Sequence, residues 1–258
     1  MIASLGMYDF APALQAANDR LWGHIRDGLR AQGITAPDEL TRGTAAFWEA
    51  WTSSDLVFSQ TCGFPYRAKL WDQVTLIGTP DYDLPGCPPG HYVSVYIARA
   101  TDPRHHLAEF ADADFAYNEA MSQSGWAAPQ NHAAALGLRF RPSLLTGGHR
   151  ASALAVADGR ADFAAIDAVT WGLLQRHEPG IAALKEIGRS SPPTPVLPYI
   201  AAKNMDADTY FDVVAAAIAA LTPADRTTLM LRGVVRIATQ DYLAVPTPPT
   251  PDQIARRI

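Results

Sequence analysis

The chain has 258 residues, 48% of them hydrophobic and 18% charged, enough to bury a sizeable core as one domain or two lobes. Lys and Arg number 21 against 26 Asp and Glu, a formal charge of -5 with no basic run, which argues against a nucleic-acid partner and means that an anion must be held by local dipoles and hydrogen bonds. No apolar stretch approaches the ~20 residues that span a bilayer, so the sequence does not read as membrane-embedded.

In chain order the pattern alternates strands and helices. Ile2 to Gly6 reads as a strand, Pro12 to Ala31 as a helix, and Ala45 to Trp51 as a short helix leading to a strand at Leu56 to Ser59. Strands follow at Val74 to Gly78 and Tyr92 to Ala98. A second set then runs as a strand at Asp114 to Asn118, a helix after Gly125, a strand at Phe140 to Leu145 and a helix after Gly148. It continues with a strand at Asp162 to Ile166, a helix at Val169 to His177 and a strand at Leu184 to Gly188. The alternation predicts an α/β protein whose sheets are mostly parallel and flanked by helices.

Two such sets in one chain predict two lobes. Residues 190–198 hold four prolines, which cannot sit in a helix or a central strand, and read as the return crossing. Helices at Ala207 to Leu221 and Pro223 to Leu231 complete the first lobe, with the Pro-rich Val245 to Pro251 wrapping its surface. The expected division is residues 1–97 and 193–258 in lobe 1 and 98–192 in lobe 2, with hinges near Ile97 to Ala100 and Pro195 to Ala201.

Three segments each end a strand-like run and open a helix-like one: Ala116 to Trp126, Thr146 to Arg150, and Ala165 to Asp167. Parallel strands would gather these at their carboxyl ends, where open α/β sheets bind ligands. Ser122, Gln123, Ser124 and Gly125 suit an oxyanion, because a helix start has unpaired N–H groups, Ser adds hydroxyl donors, and Gly lets an anion approach the backbone. The alternative for Ser122 or Ser124 is a simple N-cap, worth roughly 1 kcal/mol. Pro129 makes the first turn of the following helix irregular or separate. Asp167 reads as an acceptor selecting a protonated anion, or as the N-cap of the helix that follows.

The order of Leu5-Gly-Met-Tyr-Asp9, Ser59-Gln-Thr-Cys-Gly-Phe-Pro65, Gly86-Cys87 with Tyr92-Val-Ser94, Asn118 to Gly125, Gly147-Gly-His149, Gly159-Arg-Ala-Asp162 to Trp171, and Leu197-Pro-Tyr199 resembles the phosphate, phosphite and phosphonate substrate-binding proteins of ABC transporters. The resemblance covers nearly the whole chain. It implies a type 2 periplasmic-binding-protein fold with a ligand cleft at the hinge, a tetrahedral anion as ligand, a permease as partner and no enzymatic activity. The implied contacts are Tyr8, Tyr92, Asn118, Ser122 to Gly125, His149, Asp167 and Tyr199. Arg150 departs from the acidic residue that follows the His in phosphonate-binding members.

Other chemistry is weaker. Ser124, His149 and Asp167 have the residue types of a hydrolase triad, yet no Gly-x-Ser-x-Gly elbow, P-loop or dinucleotide fingerprint occurs. The seven histidines are scattered and neither cysteine lies in a Cys-x-x-Cys pair, so neither a metal nor a cofactor is expected. Cys62 and Cys87 read either as reduced thiols or as a disulfide worth about 3.5 kcal/mol in an oxidising compartment. Trp48, Trp51, Trp71 and Trp171 read as packing. No signal peptide is read at Met1; the resemblance implies the periplasm, and a cytoplasmic ligand-sensing module of the same fold is the alternative. A monomer is expected.

Overall fold

The computed structural model describes residues 1–255. In chain order the strands are β1 (Ile2–Ser4), β2 (Leu56–Gln60), β3 (Val74–Asp81), β4 (His91–Tyr92), β5 (Ser94–Arg99), β6 (Phe115–Tyr117), β7 (Pro142–Leu145), β8 (Phe163–Asp167), β9 (Leu184–Arg189), β10 (Thr194–Pro195), β11 (Tyr199–Ala202) and β12 (Gly233–Val235). Two compact units share the chain. Unit 1 is Met1–His91 with Pro195–Ala244, and unit 2 is Tyr92–Thr194 with the segment from Val245 on.

Unit 1 is a five-stranded sheet in the order β1-β2-β11-β3-β12. The helix Pro12–Ala31 starts with Pro in its first turn, where a missing N–H costs nothing, and buries Leu14, Ala17, Leu21, Trp22, Ile25 and Leu29 at helical spacing. It packs on the helix Ala207–Ala220, whose N-cap Asp206 accepts from the Asp208 and Thr209 N–H groups at 3.1 and 3.3 Å. Gly28 permits this approach, since a Cβ there would lie 2.8 Å from Val213 Cγ1. Trp51 is buried as expected, whereas Trp48 and Trp71 are exposed on the surface.

Unit 2 is a five-stranded sheet in the order β7-β6-β8-β5-β9. Its core is aromatic: Phe115 stacks on Phe163 at 4.9 Å and on Trp126 at 6.2 Å, and Phe140 meets Phe163 edge-on at 4.9 Å. Burial of these rings fixes the strand faces from which the loops at the sheet edge depart.

Both sheets are mixed, and this corrects the expectation of mostly parallel pairing. The pairs β1–β2, β6–β7 and β6–β8 are parallel, while β11 is antiparallel to β2 and β3, β12 to β3, and β5 to β8 and β9. The antiparallel members β5 and β11 follow the points where the chain passes from one unit to the other, so no crossover helix dictates their direction. The expected boundaries also move. Strand β5 is paired on both sides within unit 2, so most of the segment expected as the first hinge, Ile97 to Ala100, lies inside a sheet strand. The Pro-rich tail lies on unit 2, where Trp126 Nε1 donates to the Pro249 carbonyl at 3.1 Å and Asn131 Nδ2 to the Pro246 carbonyl at 2.8 Å.

Candidate functional site

Because β6, β7 and β8 run in one direction, the residues after them reach the same edge of the unit 2 sheet. Asn118 and Thr146 directly follow β6 and β7, and Asp167 is the last residue of β8. Strand β5 runs the opposite way, and its first residue, Ser94, pairs with Asp167 at that edge. Parallel direction therefore gathers three sequence-predicted segments, and one antiparallel strand adds a residue that the pattern did not single out.

The loop after β6 turns into a helix at Gln123. Ser122 is the N-cap and its Oγ accepts from Gly125 N at 2.9 Å. The first turn, Gln123–Ala127, is π-helical, with Ala127 N bonded to the Ser122 carbonyl at 2.9 Å, and an α-helix continues over Ala128–Ala135. Pro129 sits at the start of that α-helical part, so its missing N–H falls where the hydrogen-bond pattern changes. Ser94 Oγ donates to the Ser124 carbonyl at 2.8 Å and ties the turn to the sheet.

The loop after β7 is clamped to the loop after β6. Thr146 N donates to the Tyr117 carbonyl at 3.0 Å and Gly147 N to the Asn118 carbonyl at 2.9 Å. Gly147 takes a φ of +83°, a region that disfavours side chains, and the chain then enters the helix His149–Ala157 at its first residue. Thr146 Oγ1 lies 2.6 Å from Ser152 Oγ, which ties the turn to the helix that follows.

His149 Nε2 lies 2.8 Å from Ser124 Oγ and 3.5 Å from Asp167 Oδ2. Gly125 lies against the same group: a Cβ there would collide with Asn118 Oδ1 and come within 3.2 Å of His149 Cε1. Burial pushes the His149 pKa below its ordinary value, against the opposing pull of the Asp167 carboxylate and the Ala165 carbonyl. The net direction favours a neutral ring.

Asp167 caps the helix Ala168–His177. Its Oδ1 accepts from Thr170 N at 2.8 Å, and Oδ2 accepts from Thr170 Oγ1. Of the two sequence readings, capping is the one that the geometry displays. The hydrolase arrangement fails on geometry, because a Ser-His-Asp relay needs the serine and the carboxylate on opposite ring nitrogens. Here both face Nε2. Arg150, one residue beyond His149 on the helix, is paired with Glu178 Oε2 at 2.6 Å and is half exposed.

The structure thus brings Asn118, Ser122, Gln123, Ser124, Gly125, His149 and Asp167 together in unit 2. Tyr8 and Tyr199 belong to unit 1, where both line a small cavity with Asn18, Gln60 and Tyr82. Tyr8 meets Tyr82 edge-on at 5.6 Å, Gln60 Nε2 donates to Tyr82 Oη at 3.1 Å, and burial raises the Tyr199 pKa. Tyr92 is buried in β4. The structure does not bridge Cys62 and Cys87. Cys62 is buried at the start of the turn Gly63–Pro65, whereas Cys87 lies in a half-buried turn closed by its own N–H on the Leu84 carbonyl at 3.1 Å.

Sequence reasoning missed Ser94 as a support, Thr170 as the partner of Asp167, and Gln60 with Tyr82 beside Tyr8. Ser94 had a usable signal, a polar residue opening an otherwise apolar strand. Thr170 also had one, since it stands three residues after Asp167 at N-cap spacing, whereas Gln60 and Tyr82 depend on tertiary pairing and carry none.

Comparison with known proteins shows the family. The family model for the ABC-transporter phosphonate periplasmic substrate-binding protein matches residues 45–241. The chain belongs to that family, whose members are binding proteins that serve a permease rather than enzymes. Among solved structures, it is similar to PhnD1 from Prochlorococcus marinus in complex with methylphosphonate, at 15% identity and a TM-score of 0.71 over 99% of this chain and 97% of that one. It is also similar to XAC2383 from Xanthomonas citri bound to chloride, at 14% identity and 0.68 over 100% and 99%. A third is PA3383 from Pseudomonas aeruginosa, a binding protein component of an ABC phosphonate transporter, at 16% identity and 0.67 over 94% and 83%. At these identities the likeness is one of fold. No curated protein gives a significant match. Among the described residues no helix is long and apolar enough to cross a membrane.

Proposed function

We propose that the protein captures a small phosphorus oxyanion, a phosphonate foremost and phosphate or phosphite as its nearest competitors, at the edge of the unit 2 sheet and delivers it to an ABC permease. The observation that carries this reading is the convergence of Ser124 Oγ, His149 Nε2 and the bare α-carbon of Gly125 at a helix start. A helix N-terminus presents N–H groups and positive potential, which offsets the weak repulsion of an anion by the net charge of -5. A hydroxyl and an imidazole add directed bonds to the ligand oxygens, and the absence of a Cβ at Gly125 lets the Asn118 amide pack against the backbone beside them.

A ligand bound only by the folded state stabilises it by about 2.7 kcal/mol at a hundredfold excess over its dissociation constant. A thermal-shift panel of methylphosphonate, 2-aminoethylphosphonate, phosphite and phosphate is expected to raise the melting temperature by several degrees for at least one phosphonate. No shift with any of the four at saturating concentration removes this function.

A further inference from the structure

Asn118 is held rigidly. Its residue directly follows β6, and its backbone carbonyl accepts from Gly147 N at 2.9 Å, so it fastens the two loops of the candidate site together. Its side-chain Oδ1 is shielded from solvent and accepts no hydrogen bond among the described residues. Leaving a buried acceptor unsatisfied costs about 1–3 kcal/mol, and none of the described residues supplies the donor this atom calls for.

The position of that atom is informative. A Cβ on Gly125 would strike Oδ1, lie 2.8 Å from Asn118 Cγ and lie 3.2 Å from His149 Cε1, so the amide and the imidazole both border the Gly125 α-carbon. The other acceptors nearby already have protein donors: Ser122 Oγ accepts from the Gly125 N–H, and the two oxygens of Asp167 accept from Thr170 N and Thr170 Oγ1. Asn118 Oδ1 therefore stands as an open acceptor beside groups suited to donate.

We propose that Asn118 is a specificity-determining residue whose side-chain carbonyl accepts the hydroxyl proton of a singly protonated phosphonate and so disfavours an unprotonated anion of the same shape. This rests on the oxyanion reading of the site and deepens it. A fully deprotonated tetrahedral anion has only acceptor oxygens, and one of them against Oδ1 would set two lone-pair bearers together; a P–OH group instead satisfies both. The amide is neutral, so it reads the proton without adding a negative charge to the site.

The test compares methylphosphonate with methanesulfonate, measured by titration calorimetry at a pH where both are monoanions. The two share shape and charge, and differ by one hydroxyl proton. The wild type is expected to prefer methylphosphonate, and Asn118→Ala to reduce that preference about tenfold or more, through weaker phosphonate binding with little change for methanesulfonate. Asn118→Asp, nearly isosteric, keeps the acceptor and adds charge, so it is expected to widen the preference; it serves as the decisive variant if Asn118→Ala does not fold. A wild type that binds methylphosphonate while Asn118→Ala keeps the full preference, or an Asn118→Asp variant that binds methanesulfonate better, overturns the assignment to Asn118. A wild type that binds neither methylphosphonate nor phosphate overturns the oxyanion reading itself, an outcome visible before any variant is made.

Discussion

Ser124 Oγ and His149 Nε2 lie 2.8 Å apart, on two helices that both begin at the same edge of the unit 2 sheet. The bond fixes the imidazole in a buried position where its charged form is disfavoured by desolvation. That has a consequence for stability as well as for ligand binding.

With its folded pKa below the ordinary value, His149 binds a proton less readily in the native state than in the unfolded chain. Its contribution to stability is therefore complete above the unfolded pKa of about 6.5 and is lost as pH falls below that value. Burial lowers the His132 pKa in the same sense, so the wild type carries both effects. Replacing His149 with Gln is expected to leave a shallower decline in unfolding free energy between roughly pH 7 and pH 5. Denaturant melts at several pH values measure this. Parallel declines in the variant and the wild type would show that the His149 ring is not held neutral by the fold.

Gly125 gives a steric prediction. Its missing Cβ would meet the Asn118 carbonyl oxygen, and the amide cannot retreat easily because the Asn118 backbone is bonded to Gly147. Gly125→Ala is expected to destabilise by about 1–3 kcal/mol, the usual range for an overpacked site. The double variant Gly125→Ala with Asn118→Ala should recover part of that loss, giving a coupling energy of at least about 0.5 kcal/mol in a double-mutant cycle. Strict additivity of the two single effects would locate the strain elsewhere.

The candidate site was readable in the sequence to the extent that it depends on local patterns. Ser122 with Gly125, the Gly147-Gly148-His149 turn and Asp167 each lie at a strand-to-helix switch, and a parallel run of β6, β7 and β8 is enough to bring them together. What the pattern could not supply is strand direction where no crossover helix dictates it. Strand β5 has the same apolar character whichever way it points, yet only the antiparallel direction places Ser94 opposite Asp167 and beneath Ser124. For Asp167 the N-cap alternative had a local signal, since Thr170 sits three residues on, and its N and Oγ1 donate to the two carboxylate oxygens. The tail after Ala244 misled, since proline content announces an irregular strap and is silent about which surface receives it.

That strap is the subject of the last prediction. Prolines at 246, 248, 249 and 251 have no N–H, so the segment can enter no sheet as a regular strand and offers mainly carbonyl acceptors. Unit 2 supplies donors from side chains: Trp126 Nε1 reaches the Pro249 carbonyl at 3.1 Å and Asn131 Nδ2 the Pro246 carbonyl at 2.8 Å. Trp126 follows Gly125 directly, and its buried ring stacks on Phe115, so the strap is fastened to the same helical turn that forms the candidate site. Trp126→Phe keeps an aromatic ring in the core and removes the N–H. It is expected to weaken the strap by about 1–2 kcal/mol, seen as faster amide exchange and easier proteolysis in residues 245–255, and Asn131→Ala should add to the effect. Because Phe leaves most of the apolar burial in place, the exchange rates of β6 and β8 should change much less than those of the strap. Unchanged protection of residues 245–255 in both variants would mean that the strap is held by burial of Pro251 and Ile254 rather than by these two donors.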